Sequence, residues 1–268
     1  MKKAVVSVAC LVLACGCIKV EHNLALNRDG SGVLEISYSV PEQTVTQIKA
    51  MLKLERELAI AAGESPDTYT EDEFTRLVFD PDEARLLKKL SELAEYGITI
   101  KNLNVRSRGA RRNVDLKIAF ANIADVAGAG FFNAYGFSLV KTGDGNYAWI
   151  RRGDRSADAA PPDVSDPETL RALDPLLGGF SFALTVSPPG RILKTDAPSK
   201  TPNSATWKFD FDHDPNALWA VKTRNMTIIF DGKGLTLPEV RQNEVRSATP
   251  QTPTAPPEEP RPDGKSGS

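Results

Sequence analysis

The chain has 268 residues, of which 41% are hydrophobic and 25% charged, with a formal net charge of −2. These fractions sit near the averages of soluble globular domains, and a balance so close to neutral excludes the strongly basic domain that nucleic-acid binding needs. All three cysteines fall within the first seventeen residues, so the rest of the chain has neither a disulfide framework nor a thiolate metal site.

Lys2 and Lys3 precede an apolar run from Ala4 to Ala14, and Cys15-Gly16-Cys17 closes it. A basic start, a short apolar stretch and small residues at the end are the layout of a secretory signal. The run is too short to span a bilayer, which takes about 20 apolar residues. A cysteine at the cut resembles the lipobox of bacterial lipoproteins, whose new N-terminal cysteine carries acyl chains. Residues 1–16 are therefore expected to be a lipoprotein signal peptide. Cys15, preceded by Val12-Leu13-Ala14, is the favoured lipidation site, and Cys17, preceded by Ala14-Cys15-Gly16, is the alternative. Removing Lys2 and Lys3 with the signal shifts the net charge from −2 to −4.

Beyond the signal, Ile18, Val20, His22, Leu24 and Leu26 alternate with Lys19, Glu21, Asn23 and Ala25. The alternation resumes at Leu34, Ile36, Tyr38 and Val40 after an Asn/Asp/Gly cluster, which predicts a β-hairpin with one buried face. Pro41-Glu42 opens a helical pattern carrying Val45, Ile48 and Leu52, which Gly63 ends. A second helix is predicted from Pro81, with a stripe of Leu86, Leu87, Leu90, Leu93 and Ala94 and a stop at Gly97. Period-two patterns then place strands at residues 98–105 and 113–120 around a turn at Gly109. A short helix at residues 123–127 and a hairpin at residues 137–140 and 147–150 follow. Residues 153–166 have little to bury and are expected to be a linker, with a helix from Pro167 to Leu177 beyond it. Three further strands are predicted at residues 180–186, 205–211 and 226–230, with one helical turn at residues 216–221.

The C-terminal stretch is different in kind. From Arg246 to Ser268 there is no Leu, Ile, Val, Met, Phe, Trp or Tyr, and prolines recur from Pro250 to Pro262. Such a segment has nothing to bury against its ordering entropy, so residues 241–268 are expected to be a disordered tail. The expected organisation is thus a signal (1–16), an α+β domain (17–152), the linker (153–166), a second β-rich part packed on the first (167–240), and the tail.

Hairpins adjacent in sequence, separated by helices rather than alternating singly with them, argue for an α+β fold. The expected fold is a mainly antiparallel sheet built from hairpins, with one face covered by two longer helices. One-faced alternation also speaks against a doubly wound parallel sheet, whose strands are apolar on both sides.

The order of parts, a cysteine signal, a strand with Asn27-x-Asp29-Gly30-Ser31-Gly32, paired helices and a meander, carries a resemblance when taken with two later segments. These are the run from Phe182 through Ser187-Pro188-Pro189-Gly190 to Ile192, and Ala205-Thr206-Trp207-Lys208-Phe209. Together they resemble the LppM-like domain of bacterial envelope lipoproteins over roughly residues 17–232. The resemblance implies a non-enzymatic envelope domain that contacts lipids or glycolipids. Some members end in a transmembrane helix, whereas this chain ends in a polar tail.

Catalytic and metal signals are sparse. His22 and His213 are the only histidines, and His22 lies on the apolar face of its strand, where a core histidine is the simpler reading. Asp210, Asp212 and Asp214 look like the start of a calcium loop, but Pro215 and Val221 stand where such a loop needs Gly and Glu. Ser138-x-x-Lys141 and Lys141-Thr142-Gly143 match motifs of penicillin-recognising enzymes, yet they overlap within one hairpin and lack the helix those enzymes require. No catalytic residue, metal or cofactor is expected. Arg106, Arg108, Arg111 and Arg112 surround one turn, while Arg151 and Arg152 close another hairpin. If the two hairpin ends are neighbours, these six form a basic patch suited to anionic lipid head groups or glycans.

The expected function is a lipid-anchored, non-enzymatic envelope protein, periplasmic or surface-exposed, that binds a lipid, glycolipid or another envelope component. Its partner membrane is reached through the N-terminal acyl chains. No Asp follows either candidate cysteine, which favours the outer membrane in a cell with two. The alternatives are a scaffold between membrane and wall that binds no small molecule, and a hydrolase using paired carboxylates.

Overall fold

The computed structural model describes residues 18–61, 83–128, 137–153 and 178–240. The expected signal peptide, Cys15 and Cys17, residues 154–166 of the linker, the helix at 167–177 and the tail from 241 lie outside the described residues.

Strands β1 (Lys19–Leu26) and β2 (Gly32–Pro41) form the expected hairpin, in register from Lys19 opposite Ser39 to Leu26 opposite Gly32. Alternation divides its two faces: His22, Leu24, Leu26, Leu34, Ile36 and Val40 are buried. The turn between them is tied locally. The Asp29 carboxylate accepts the Ser31 N–H at 3.0 Å and the Ser31 hydroxyl at 2.7 Å. These bonds favour the ionised form and hold the carboxyl below its usual range. Gly30 sits at φ 86, and a Cβ there would meet the Pro238 ring at 2.6 Å, so both conformation and space demand glycine.

Helix α1 (Glu42–Ala61) follows, with Val45 buried in its first turns. Helix α2 (Glu83–Ser91) continues into a 3-10 turn at Glu92–Tyr96 and stops at Gly97, φ 67. Leu86, Leu90 and Leu93 are buried, at the spacing that lines one helix face. Leu87 is 41% exposed and Ala94 is also exposed, so the buried stripe is narrower than the sequence suggests. Strands β3 (Ile98–Arg108) and β4 (Arg111–Phe120) then pair across Gly109, with an irregularity between Ile100 and Asn102. Short helix α3 (Ile123–Gly128) closes this region.

The remaining strands are β5 (Phe137–Lys141), β6 (Tyr147–Arg151), β7 (Ser181–Ser187), β8 (Ile192–Thr195), β9 (Ser199–Lys200), β10 (Ala205–Asp210) and β11 (Met226–Phe230), with helix α4 (Ala217–Thr223) before the last. They complete two sheets. The larger has the order β3-β4-β2-β1-β7-β10-β9, and the smaller β5-β6-β11-β8. Among the described residues all strand pairings are antiparallel except β1 with β7.

The fold is therefore mixed α/β and mostly strand, which corrects one part of the expectation. Two longer helices do not cover the main sheet, since α2 has nine residues against twenty for α1. The second sheet supplies much of the cover. Trp149 of β6 meets Trp207 of β10 with ring centroids 6.0 Å apart, and Phe137 stacks on Trp149 at 6.2 Å. Leu139, Trp149, Met226, Ile228 and Phe230 put a large apolar surface on one face of the small sheet, and burying it against the large sheet is the favourable arrangement.

The two sheets also share their ends. At the proximal end, where β1 begins, Arg224 lies over the Phe209 ring at 6.0 Å, one residue before the end of β10. At the distal end Arg28 donates to the Gly234 carbonyl at 3.2 Å, and the Tyr147 hydroxyl accepts the Leu237 N–H at 3.1 Å.

Candidate groove on the polar sheet face

The face of the large sheet turned away from the core carries the residues that alternate with the apolar ones. At its proximal end these form a cleft of about 390 Å³ on strands β1 to β4. Strand register makes it a set of rows. Arg106, Asn113, Ser39 and Lys19 lie directly opposite one another across β3, β4, β2 and β1. The next row inward is Asn104, Asp115, Ser37 and Glu21, and the row at the outer rim pairs Arg108 with Arg111. Adjacent strands are about 4.8 Å apart, so the backbones of Lys19 and Arg106 stand roughly 14 Å apart across the cleft.

Hydrogen bonds fix the floor. The Ser39 hydroxyl donates to Asn113 Oδ1 at 2.8 Å, and Arg111 Nε donates to Ser39 Oγ at 2.8 Å. Ser37 donates to Asp115 Oδ1 at 2.9 Å, and Arg106 Nε to Asn104 Oδ1 at 2.6 Å. The charges are graded along the strands. Across β3, β4, β2 and β1 the two rows nearest the proximal end hold Lys19, Arg106, Arg108 and Arg111; Glu21 and Asp115 begin in the third, and Asp210 continues the Lys19 row two strands away, beyond Ser181. Such a lining offers cations and hydroxyl or amide groups together, the chemistry that holds a phosphate or carboxylate beside sugar or glycerol hydroxyls.

The six arginines singled out from the sequence divide accordingly. Arg106 and Arg108 are exposed in the cleft and Arg111 is half-buried at its rim. Arg112 points to the other side, where Glu42 accepts from its Nη2 at 3.1 Å and also accepts the Ser107 hydroxyl at 2.9 Å. Arg152 is exposed at the proximal end of β6, in the other sheet. Arg151 is not a surface residue: it is 8% exposed, with Nη1 3.9 Å from Met226 Sδ. Its place in the six-residue patch is thus corrected, because the inward phase of β6 carries it into the space between the sheets. Sequence reading missed Lys19, Ser39 and Asn113; each is an ordinary polar residue on an alternating strand until long-range pairing aligns them.

Other candidates resolve into structural roles. His22 is 4% exposed and meets the Phe182 ring edge-on at 5.1 Å. Burial, with a smaller contribution from the Arg151 charge, lowers its pKa to about 4. Asp210, Asp212 and Asp214 serve a turn: Asp212 accepts the Gly179 N–H at 2.6 Å, Asp214 the Asn216 N–H at 2.9 Å, and Asp210 the Asp212 N–H at 3.2 Å. His213 sits 3.3 Å from Asp210, and its hydrogen bond lowers that carboxyl's pKa. Among the described residues no group of His, Cys, Asp and Glu is placed to hold a metal ion. Ser138 is buried on β5, with Lys141 at the end of the same strand. Among the described residues no helix is long and apolar enough to cross a membrane.

No family model matches the chain, and no curated protein matches it. Among solved structures it is similar to the NMR structure of the folded domain of the Mycobacterium tuberculosis LppM protein. Identity is 12% over 83% of this chain and 95% of that chain, with a TM-score of 0.36. This is a distant likeness. The resemblance to LppM-like domains stands only as a distant fold relationship.

Proposed function

We propose that the protein is a lipid-anchored, non-enzymatic lipoprotein of the bacterial cell envelope whose proximal groove binds the anionic head group of a lipid or glycolipid. The observation that carries this reading is the row of Arg106, Asn113, Ser39 and Lys19, with Arg108 and Arg111 beside it. At the outer part of the cleft long cationic side chains flank hydroxyl and amide groups, an arrangement matched to a phosphodiester, while Glu21 and Asp115 line its inner part and suit the attached hydroxyls. The signal-like segment ending in Cys15 and Cys17 supplies the anchor. The groove begins at Lys19, just beyond those cysteines.

Mass spectrometry of lipids that co-purify with the protein tests the reading, in parallel with a Lys19→Ala/Arg106→Ala variant. An anionic lipid or glycolipid retained by the parent and lost from the variant is the expected result. No retained lipid, together with equal binding of parent and variant to anionic and neutral vesicles, overturns it.

A further inference from the structure

We infer that the proximal end of the β3–β4–β2–β1 sheet is a membrane-docking face, seated on the anionic head-group layer of the bilayer that holds the anchor. The inference rests on the lipoprotein reading above and adds the orientation of the body and the surface it touches.

Chain length is the first argument. An extended chain covers at most about 3.6 Å per residue, so two residues from Cys17 reach roughly 7 Å and four from Cys15 roughly 14 Å. Lys19 is already the first residue of β1, hydrogen-bonded between β2 and β7. An acyl group on either cysteine therefore brings the start of β1 to within roughly 7–14 Å of the acylated residue, with no long spacer to let the body stand away.

Charge placement is the second argument. Lys19, Arg106, Arg108 and Arg111 occupy the two rows nearest that end, on one face and without an intervening carboxylate. Glu42, at the same end, is engaged by Arg112 and Ser107. The aspartates of the β10 turn are across β7, and their oxygens accept backbone N–H groups. The distal turns differ, because Asp29, Asp144 and Asp231 are interspersed with Arg28 and Lys233 there. An anionic surface thus attracts one corner of the molecule, and it is the corner from which the anchor emerges. Bound this way, the Arg108–Arg111 rim of the groove lies at the head groups, within reach of a lipid of the same leaflet.

Covalent footprinting of the acylated protein tests this. The protein is reconstituted into vesicles of phosphatidylcholine alone or with added phosphatidylglycerol, treated with an arginine-selective dicarbonyl, and read by peptide mass spectrometry. Arg106 and Arg108 are expected to react about threefold or more slowly on the anionic vesicles, recovering in 1 M salt, where charges are screened within about 3 Å. Arg191, exposed on the distal side beside Asp231, is expected to react equally on both. Equal reaction of Arg106 and Arg108 on the two vesicles, or protection of Arg191 instead, overturns the docking. The same spectra report the N-terminal peptide. An unacylated chain overturns the lipoprotein reading and the docking with it, whereas an acylated chain with unprotected arginines overturns the docking alone.

Discussion

The two faces of the seven-stranded sheet are built from alternate residues of the same strands, yet they answer to different physics. On β10, Trp207 and Phe209 enter the core while Lys208 stays in solvent. On β4, Val114, Leu116 and Ile118 are buried while Asn113 and Asp115 line the groove. Stability resides on the first face, where apolar area is removed from water. The second face buries little; Lys117 pairs with Glu35 and Lys208 with Asp210 there, and the proposed recognition falls to the groove at its proximal end. The contrast predicts that substitutions on one face change folding and those on the other change binding.

The largest effect belongs to the contact between the sheets. Trp207 is 1% exposed, and Trp207→Ala is expected to cost about 3–5 kcal/mol in urea unfolding, the range for deleting a buried aromatic. A cost under about 1 kcal/mol would show that the two sheets do not share a packed core. Trp207→Phe sharpens the point. Among the described residues the indole N–H groups of Trp207 and Trp149 meet no acceptor, and a buried donor without one is itself unfavourable. The phenylalanine variant should therefore lose much less than the alanine variant.

Next comes His22, whose burial makes stability depend on pH. The unfolded imidazole takes up a proton below its ordinary 6.5, while the folded one does so only below about 4. Between those values the unfolded state binds more protons, so stability falls as pH falls through that window and levels off below it. A shift of this size is worth roughly 3 kcal/mol at most. Urea midpoints of the parent and a His22→Leu variant, compared at pH 7 and pH 4.5, should differ in their pH dependence by an amount of this order. Parallel pH profiles would contradict the buried, neutral histidine.

Smaller again is the tie at the start of α1. Glu42→Ala removes the ion pair with Arg112 and the Ser107 hydrogen bond, both partly exposed, and should cost about 0.5–1 kcal/mol by thermal melting. The smallest effect on stability is expected on the polar face. Arg106→Glu/Arg108→Glu should change unfolding by no more than about 0.5 kcal/mol, as for other surface substitutions. The same variant should lose its preference for phosphatidylglycerol vesicles in sedimentation. An unchanged preference would mean that this end of the sheet does not meet the membrane.

The pattern of what the sequence discloses follows the same division. Period-two alternation placed the first hairpin, β3, β4, β6, β7, β10 and β11 to within a few residues, because each strand has one strongly apolar phase. Ile192–Thr195 has only Ile192 half-buried with an apolar side chain, and Ser199–Lys200 has no apolar residue, so neither carried a signal. The parallel pairing of β1 with β7 joins residues about 160 positions apart in the chain and leaves no local trace. The cover over the main sheet was misjudged for a related reason: Leu139, Trp149 and Ile228 read as strands, but nothing local says which sheet their apolar side faces. Half of the groove was legible as arginines around a turn. The other half, Lys19, Ser39 and Asn113, depends on register. Arg151 could not be separated from Arg152 by sequence, since the phase of a short strand at its end decides which of two adjacent arginines turns inward.

Metabolic labelling with a palmitate analogue, combined with membrane fractionation of the parent and a Cys15→Ser/Cys17→Ser variant, tests the central claim most directly. A lipid-anchored protein gives a labelled parent in the membrane fraction and an unlabelled variant released from it. An unlabelled parent that fractionates like the variant would contradict that claim.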